Sequence, residues 1–208
     1  LLTDMASDPA LIALMLHTPA AHELSALSPG YSPRKVVAAC DAVSRATRAT
    51  HLDVLRALYV RLQPTAEYVF SQKEVARRSL RNAALQILCL SDEACDIACA
   101  HEQFQDADNM TDQLAALRAL RNSARPACDE VFRQLIDRFQ NEPLVVDKWL
   151  ALQAQSAARG TITNVSALMD HRLFDARNPN KLRALLGGFA LRNWSQFHAD
   201  DGSGYAFL

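Results

Sequence analysis

The residues best suited to chemistry lie in one stretch near the end of the chain, which begins at Asn178. Asn178 followed by Pro179 has the pattern of an N-cap and a first helical residue, so a helix is predicted to begin at Pro179. Arg183 then lies near the start of this helix, and its guanidinium presents five donors in a rigid fork that suits a carboxylate. The residues alone favour an arginine that faces solvent or pairs within the fold. The Gly187-Gly188 pair predicts a break after this helix.

The same stretch runs on into a polar, glycine-rich turn. His198, Asp200 and Asp201 precede Gly202 and could supply a catalytic pair of an imidazole and a carboxylate. A turn held by Asx-type hydrogen bonds is the favoured interpretation, because aspartates beside a glycine are typical of such turns.

Motifs of a complete hydrolytic site are missing. His22 and His101 each begin a sequence like the zinc motif His-Glu-x-x-His, but neither has the second histidine one helical turn on. Asp106, Asp108 and Asp112 form an acidic cluster without the glycine of a calcium-binding loop, and capping of a helix start explains them better. By its own residues, the chain is not a self-contained enzyme.

The cysteines predict reduced thiols, because their odd number and scattered positions suit the cytosol. They are Cys40, Cys89, Cys95, Cys99 and Cys128. Cys95 and Cys99 lie one helical turn apart, and a thiol-based metal or redox sensor at this pair is one hypothesis. Buried small hydrophobic residues are the favoured interpretation.

Composition excludes several classes of partner. The net charge is −1, which argues against nucleic acid and anionic membranes as partners. The basic run of Arg77, Arg78 and Arg81 is interpreted as a solvated helix face. No apolar run approaches the roughly 20 residues that a membrane span needs. The chain has no initiator methionine and stops in an apolar run, so we expect that both ends were cut from a longer protein.

The chain is half apolar and poor in glycine and proline, a mixture that favours helices packed on helices. Helix starts are predicted at Asp8-Pro9, at a capping box from Ser71 to Glu74, at Ser91, at Asn109 and before Pro126 and Pro143. A helix is also predicted from Thr161 to Met169. The cadence of about 35 to 45 residues for each helix pair predicts an all-α, HEAT/armadillo-like solenoid of antiparallel pairs. We expect a single domain over residues 1–208.

Several blocks together resemble the C-terminal domain of bacterial-type aminopeptidase N, a zinc metallopeptidase family also called alanyl aminopeptidase. They share the order and spacing of that family and cover about the last two thirds of the chain. The blocks are Arg78 to Asn82, Phe104 to Asp112 with Ala115 to Leu117, Val146 to Trp149 with Gln153-Ala154, His171 with Phe174, Asn178 to Asn180, and Phe197-His198 through Asp201 to Tyr205.

The resemblance implies a helical domain that caps the catalytic domain of the same polypeptide and encloses a chamber for peptides. Zinc would be bound by upstream domains, with no metal ligand and no catalytic residue in this chain. It also implies that Arg183 faces the chamber, which makes Arg183, Asn178 and Asn180 the candidate residues of a substrate channel. The family's domain continues beyond the end of this chain.

The leading hypothesis is therefore a non-catalytic cap of a cytoplasmic zinc aminopeptidase that controls the access of peptides. The alternative, from another class, is an independent HEAT-like scaffold that binds a partner protein.

Overall fold

The computed structural model describes residues 2, 7–27, 30, 32–123 and 125–208, and none of these residues lies in a β-strand. A short 3-10 turn spans Cys89–Ser91, and a π-helical turn spans Arg183–Gly187. The α-helices of the described part are α1 (Pro9–Leu16), α2 (Ala21–Leu27), α3 (Pro33–Arg61), α4 (Gln72–Leu88), α5 (Ala94–Asp106), α6 (Met110–Leu120), α7 (Pro126–Phe139), α8 (Pro143–Ala154), α9 (Thr161–Met169), α10 (Pro179–Leu182), α11 (Gly188–Arg192), α12 (Trp194–Phe197) and α13 (Ser203–Phe207). Within these residues, no helix is both long and apolar enough to cross a membrane.

The helix starts follow the predicted signals closely. The Asp8 side chain accepts a hydrogen bond from the Ala10 amide at 2.9 Å, and the Ser71 hydroxyl accepts one from the Glu74 amide at 3.2 Å. The second half of the predicted capping box differs, because the Glu74 carboxylate accepts a hydrogen bond from Arg77 Nε at 2.7 Å. The start predicted at Ser91 is displaced, since α5 begins only at Ala94.

The chain divides into two compact units. The first comprises Leu1–Pro19 and Cys40–Leu120, and in it α4 packs against α1, α5 and α6. Its largest fully buried side chains come from α3 to α6, where apolar residues recur at helical spacing. They are Leu55, Leu58, Leu85, Leu88, Phe104, Leu117 and Leu120.

The second unit comprises Ala20–Ala39 and Arg121–Leu208, and α8 lies at its centre. Helices α7, α9 and α11 and the π turn all pack against α8. Its largest fully buried side chains are Val131, Leu135, Leu150, Leu185 and Phe189. The prediction of a single domain over residues 1–208 stays a prediction.

The interpretation of Arg77, Arg78 and Arg81 as a solvated helix face is wrong. Arg78 and Arg81 are only 4% and 5% exposed. The Arg78 guanidinium lies over the Tyr68 ring at 4.7 Å, and that of Arg81 lies over the Tyr59 ring at 4.9 Å. A planar guanidinium can stack on an aromatic face as an ammonium cannot, so a charged residue is accommodated in the interior.

None of the five cysteines forms a disulfide in the described part of the chain. Cys89 and Cys128 are buried, whereas Cys95 is exposed and Cys99 is half-buried. The interpretation of Cys95 as a buried small hydrophobic residue is therefore wrong, because α5 presents it on the solvent side.

Candidate functional site

The predicted start of a helix at Pro179 is confirmed, and its cap is Asn178. The Asn178 side chain accepts hydrogen bonds from the amides of Asn180 at 3.0 Å and Lys181 at 3.4 Å. One turn on, Arg183 Nη1 donates to the Asn180 side-chain oxygen at 3.3 Å. The structure thus brings Asn178, Asn180 and Arg183 together in a single turn of backbone, with Asn180 and Arg183 exposed.

The predicted break at Gly187-Gly188 is wrong, since both glycines have right-handed helical dihedral angles. The chain instead forms a π turn over Arg183–Gly187 and then continues as α11. A Cβ atom on Gly188 would lie 3.3 Å from the Ala154 Cβ, so the glycine serves a close approach to α8. A Cβ on Gly187 would lie 3.5 Å from the Arg183 Cγ, so the arginine stem lies along this turn.

Neighbouring contacts hold the segment against α8. Lys181 Nζ lies 3.7 Å from the Asp147 carboxylate, and Leu185 and Phe189 are completely buried. The Asn193 side chain, only 2% exposed, donates to the carbonyl oxygens of Ala154 at 2.9 Å and Ser156 at 2.6 Å. The exposed Arg183 is therefore presented from a firmly packed element, which limits the positions its guanidinium can reach.

The end of the chain does not form a catalytic pair of histidine and aspartate. His198 Nδ1 and the Tyr205 hydroxyl share a hydrogen bond, and burial lowers the pKa of His198. Asp201 accepts a hydrogen bond from the Ser203 amide at 2.9 Å, which confirms the Asx-type turn. Asp200 forms an ion pair with Arg34. The glycine-rich segment also differs from a plain turn, because α13 begins at Ser203.

One group of potential metal ligands converges among the described residues. Oxygen or sulfur atoms of Glu93, Cys95 and Asp96 lie within 4.8 Å of one another. Both carboxylates are already bound by arginines, since Asp96 accepts from Arg48 at 2.8 Å and from Arg56 at 2.9 Å and Glu93 accepts from both at 2.7 Å. Two guanidinium groups at this point oppose a divalent cation, so the group does not fit a zinc site.

Sequence reasoning missed a buried polar network in the first unit. Gln103 Nε2 donates to the Asn82 side-chain oxygen at 2.8 Å and to the Asp112 carbonyl at 3.0 Å. Asn82 Nδ2 donates to the Asp112 carboxylate at 2.8 Å, and Asn109 caps α6 by accepting from the Asp112 amide at 3.0 Å. The Tyr59 hydroxyl donates to the Gln103 side-chain oxygen at 3.1 Å.

This network corrects the interpretation of the acidic cluster. Asp112 belongs to a capped helix start, as predicted, but Asp106 is the last residue of α5. Asp108 accepts hydrogen bonds from the Asn109 side chain and the Tyr68 amide. Both bonds lower the pKa of Asp108, and the bond from Asn109 lowers it more. A signal for the network was present in the sequence, because Asn82, Asn109 and Asp112 all fall in the blocks that resemble the peptidase family.

The second unit contains a cavity of about 580 Å³ beside α8. Trp149 and His171 form part of its wall, with ring centroids 5.3 Å apart, and burial lowers the pKa of His171. The wall also carries both arginines and aspartates, so its charge does not specify a class of ligand.

The described residues form helices and no strand, which defines the class of all-α proteins. The chain belongs to the family described as a domain of unknown function (DUF3458_C) with ARM repeats, whose profile matches residues 1–208. The fold class predicted from the sequence is thereby confirmed.

The chain is also similar to named proteins along its whole length. The chain is similar to aminopeptidase N of Escherichia coli, with 39% identity over 208 residues, which cover 100% of this chain and 24% of that protein. It is 35% identical to aminopeptidase N of Caulobacter vibrioides over 208 residues, covering 100% of this chain and 24% of that protein. The predicted resemblance to the C-terminal domain of aminopeptidase N is confirmed, and the chain spans about a quarter of the length of these relatives.

A solved structure agrees with this relationship. The chain is similar to Legionella pneumophila aminopeptidase A, crystallised in complex with aspartic acid, with a TM-score of 0.85 and 25% identity. The match covers 99% of this chain and 25% of that chain.

Proposed function

We propose that the chain is the non-catalytic C-terminal helical cap of a zinc-dependent aminopeptidase, which removes N-terminal amino acids from peptides. In this proposal the cap encloses the active-site chamber and controls the access of substrates. Support comes from relatives named aminopeptidase N that match along the whole chain. Enclosure selects substrates by size, because a folded protein cannot enter a chamber that admits a short peptide.

The proposed division of labour leaves the hydrolytic chemistry to the upstream catalytic domain, which would be this chain's partner in the same cytoplasmic polypeptide. That domain would hold the zinc ion and the water that it activates. The described residues of this chain offer only the Glu93, Cys95 and Asp96 group, whose carboxylates are occupied by arginines. We propose that the chain supplies no catalytic residue and no metal ligand.

The observation that carries the proposal is the exposed guanidinium of Arg183 on a rigidly packed turn. Its hydrogen bond in the described structure goes to the neutral side chain of Asn180, so its charge is not neutralised there. A guanidinium with five donors binds a carboxylate or backbone carbonyl oxygens well. We propose that Arg183 steers the C-terminal part of a peptide, with Asn178 fixing the turn and Asn180 orienting the guanidinium.

The test compares Arg183→Ala with a matched control, Arg192→Ala, in the full-length protein. Arg192 is exposed and lies on the adjoining α11, so the control removes the same charge nearby. We expect Arg183→Ala to lower kcat/KM for peptides by about tenfold, the loss of one charge-assisted contact. Small aminoacyl anilides, which have no C-terminal carboxylate, should be hydrolysed at nearly the normal rate.

Equal losses on peptides and anilides, or no loss on either, would refute the role of Arg183. The cap role has a separate test. The full-length protein is purified, and its zinc content and its zinc-dependent hydrolysis of peptides are measured. A protein that contains this chain but shows no zinc-dependent peptidase activity would support the alternative, an independent HEAT-like scaffold.

A further inference from the structure

The π turn over Arg183–Gly187 closes with a hydrogen bond from the Gly188 amide to the Arg183 carbonyl, five residues back. Turns of this kind are rare and frequently occur at functional sites. The turn begins at the arginine of the proposed peptide-binding role and ends at a residue without a side chain. Its two ends lie side by side, because a Cβ on Gly187 would be 3.5 Å from the Arg183 Cγ.

One edge of the Arg183 guanidinium is engaged and another is open. Nη1 donates to the Asn180 side-chain oxygen at 3.3 Å. Nε and Nη2 donate to no residue in the described part of the chain, and the side chain is exposed. Nε and Nη2 are parallel donors that can bind both oxygens of one carboxylate. Asn180 therefore holds one edge of the guanidinium and leaves a bidentate edge accessible.

Gly187 accounts for the open space beside this edge. Outside its two chain neighbours, the side-chain atoms nearest to a Cβ on Gly187 belong to Arg183, at 3.5 and 3.9 Å. A helical side chain points back over the preceding turn, so a long side chain at position 187 would lie along the Arg183 stem toward its guanidinium. Gly187 has φ −64° and ψ −37°, which any residue can adopt. Backbone geometry does not require a glycine here, whereas an open flank beside Arg183 does.

The carboxylates of this segment are engaged by other cations. Asp175 Oδ1 lies 3.1 Å from Arg177 Nε, and Asp147 Oδ1 lies 3.7 Å from Lys181 Nζ. Among the described residues, no carboxylate lies within ion-pair distance of Arg183. The charges of Arg177 and Lys181 are thus balanced, and Arg183 keeps a positive charge that is available to a ligand.

We propose that the open flank beside Gly187 is a subsite for the free C-terminal carboxylate of a peptide, which Nε and Nη2 of Arg183 bind. Gly187 is then a specificity-determining residue, because its missing side chain admits the carboxylate. A backbone carbonyl has one oxygen and no charge, so it uses this pair of donors less well. The inference rests on the proposed function and narrows its substrate class to peptides with a free C-terminus.

The test is steady-state kinetics of the full-length protein on one peptide in two forms, the free acid and its C-terminal amide. Gly187→Glu places a carboxylate four residues after Arg183, where opposite charges pair on a helix. Gly187→Gln has the same shape without the charge. Ser166→Glu adds the same charge at an exposed position of α9 and is the control for net charge.

We expect the wild type to hydrolyse the acid with a kcat/KM about tenfold higher than that of the amide, the effect of one charge-assisted contact. The difference should lie in KM, because a contact far from the cleaved bond is made equally in the ground state and the transition state. In Gly187→Glu the kcat/KM of the acid should fall about tenfold, so that the preference disappears. Gly187→Gln and Ser166→Glu should keep the preference. The midpoint of thermal unfolding should not fall in Gly187→Glu, since glutamate has a higher helix propensity than glycine.

Equal kcat/KM for the acid and the amide in the wild type would overturn the subsite. An equal loss of preference in Gly187→Gln and Gly187→Glu would also overturn it, because the effect would then be one of shape and not of charge. Equal losses on acid and amide in Arg183→Ala would leave the peptide-binding role of Arg183 intact and refute only the binding of the carboxylate. A full-length protein that hydrolyses neither form would refute the proposed function and this subsite with it.

Discussion

Asp96 is the residue whose replacement should destabilise the first unit most clearly through electrostatics. It is 2% exposed and accepts hydrogen bonds from Arg48 Nη2 at 2.8 Å, Arg56 Nε at 2.9 Å and Arg56 Nη2 at 3.1 Å. Arg48 is 8% exposed and also donates to the Leu88 carbonyl at 2.9 Å, which ties α3 to the end of α4. The ion pair of Arg48 and Asp96 therefore joins α3, α4 and α5 in the interior of the first unit.

The variant Asp96→Asn keeps the shape of the side chain and removes its charge. Arg48 then remains buried with only the exposed carboxylate of Glu93 as a charged partner. Removing one member of a buried ion pair destabilises a protein by about 3–5 kcal/mol. The retained amide oxygen can still accept one hydrogen bond, so we expect a loss of about 3 kcal/mol.

Hydrogen exchange followed by mass spectrometry measures this loss where it occurs. Peptides from α3, α4 and α5 should lose protection by about two orders of magnitude, which corresponds to about 3 kcal/mol. Peptides from α8 should change much less, because α8 belongs to the second unit. The midpoint of thermal unfolding of the first unit should fall by about 12–24 °C, the shift expected when a unit of this size loses about 3 kcal/mol.

Glu93→Gln is the matched control, since Glu93 binds the same two arginines but is exposed to solvent. Water can replace its contacts, so its loss should be clearly smaller than that of Asp96→Asn. Equal losses for the two variants, or unchanged protection of α5 in Asp96→Asn, would refute the assignment of the stability to burial of the Asp96 carboxylate.

Two further predictions test the packing and the buried network. In Gly204→Ala a Cβ would lie 2.2 Å from the Phe197 carbonyl oxygen, so α13 must move and stability should fall by about 3 kcal/mol in urea titrations. Gly202→Ala has free space but a φ of 71°, so we expect a loss of only about 1 kcal/mol, and equal losses would contradict the clash. Burial raises the pKa of Tyr59 to about 12, so the folded state keeps a proton that the unfolded state releases above its pKa of about 10. Stability should thus fall by about 2–3 kcal/mol as the pH rises from about 10 to about 12, and Tyr59→Phe should remove this decline in pH-dependent unfolding.

Local signals in the sequence were sufficient for most of the helices. Asp8, Ser71, Asn109 and Asn178 cap the helices that they were expected to start, because a side-chain acceptor satisfies free amides within three residues. These interactions need no knowledge of the rest of the fold. The span from Thr161 to Met169 agrees with α9, although its N-cap residue is Gly160 and no side chain caps it.

Features that depend on distant partners were not predictable in this way. Arg78 and Arg81 are buried because aromatic rings from other segments lie over them, and no residue pattern in their own helix predicts those rings. Glycine has a low helix propensity, so the sequence favours a break at Gly188, yet close packing against Ala154 keeps this residue helical. Tertiary contact overrides local preference at both places, and the same is true of Cys95, whose exposure depends on which face of α5 is covered.

Burial separates the residue blocks through which this chain resembles its family into two groups. Asn82 and Asp112 are buried and satisfied by one another, so packing alone gives a sufficient reason for their residue types. Asn180 and Arg183 are exposed, and the cap at Pro179 would form without the arginine. Packing therefore gives no reason for a guanidinium at position 183, which is why we place the peptide-binding role there.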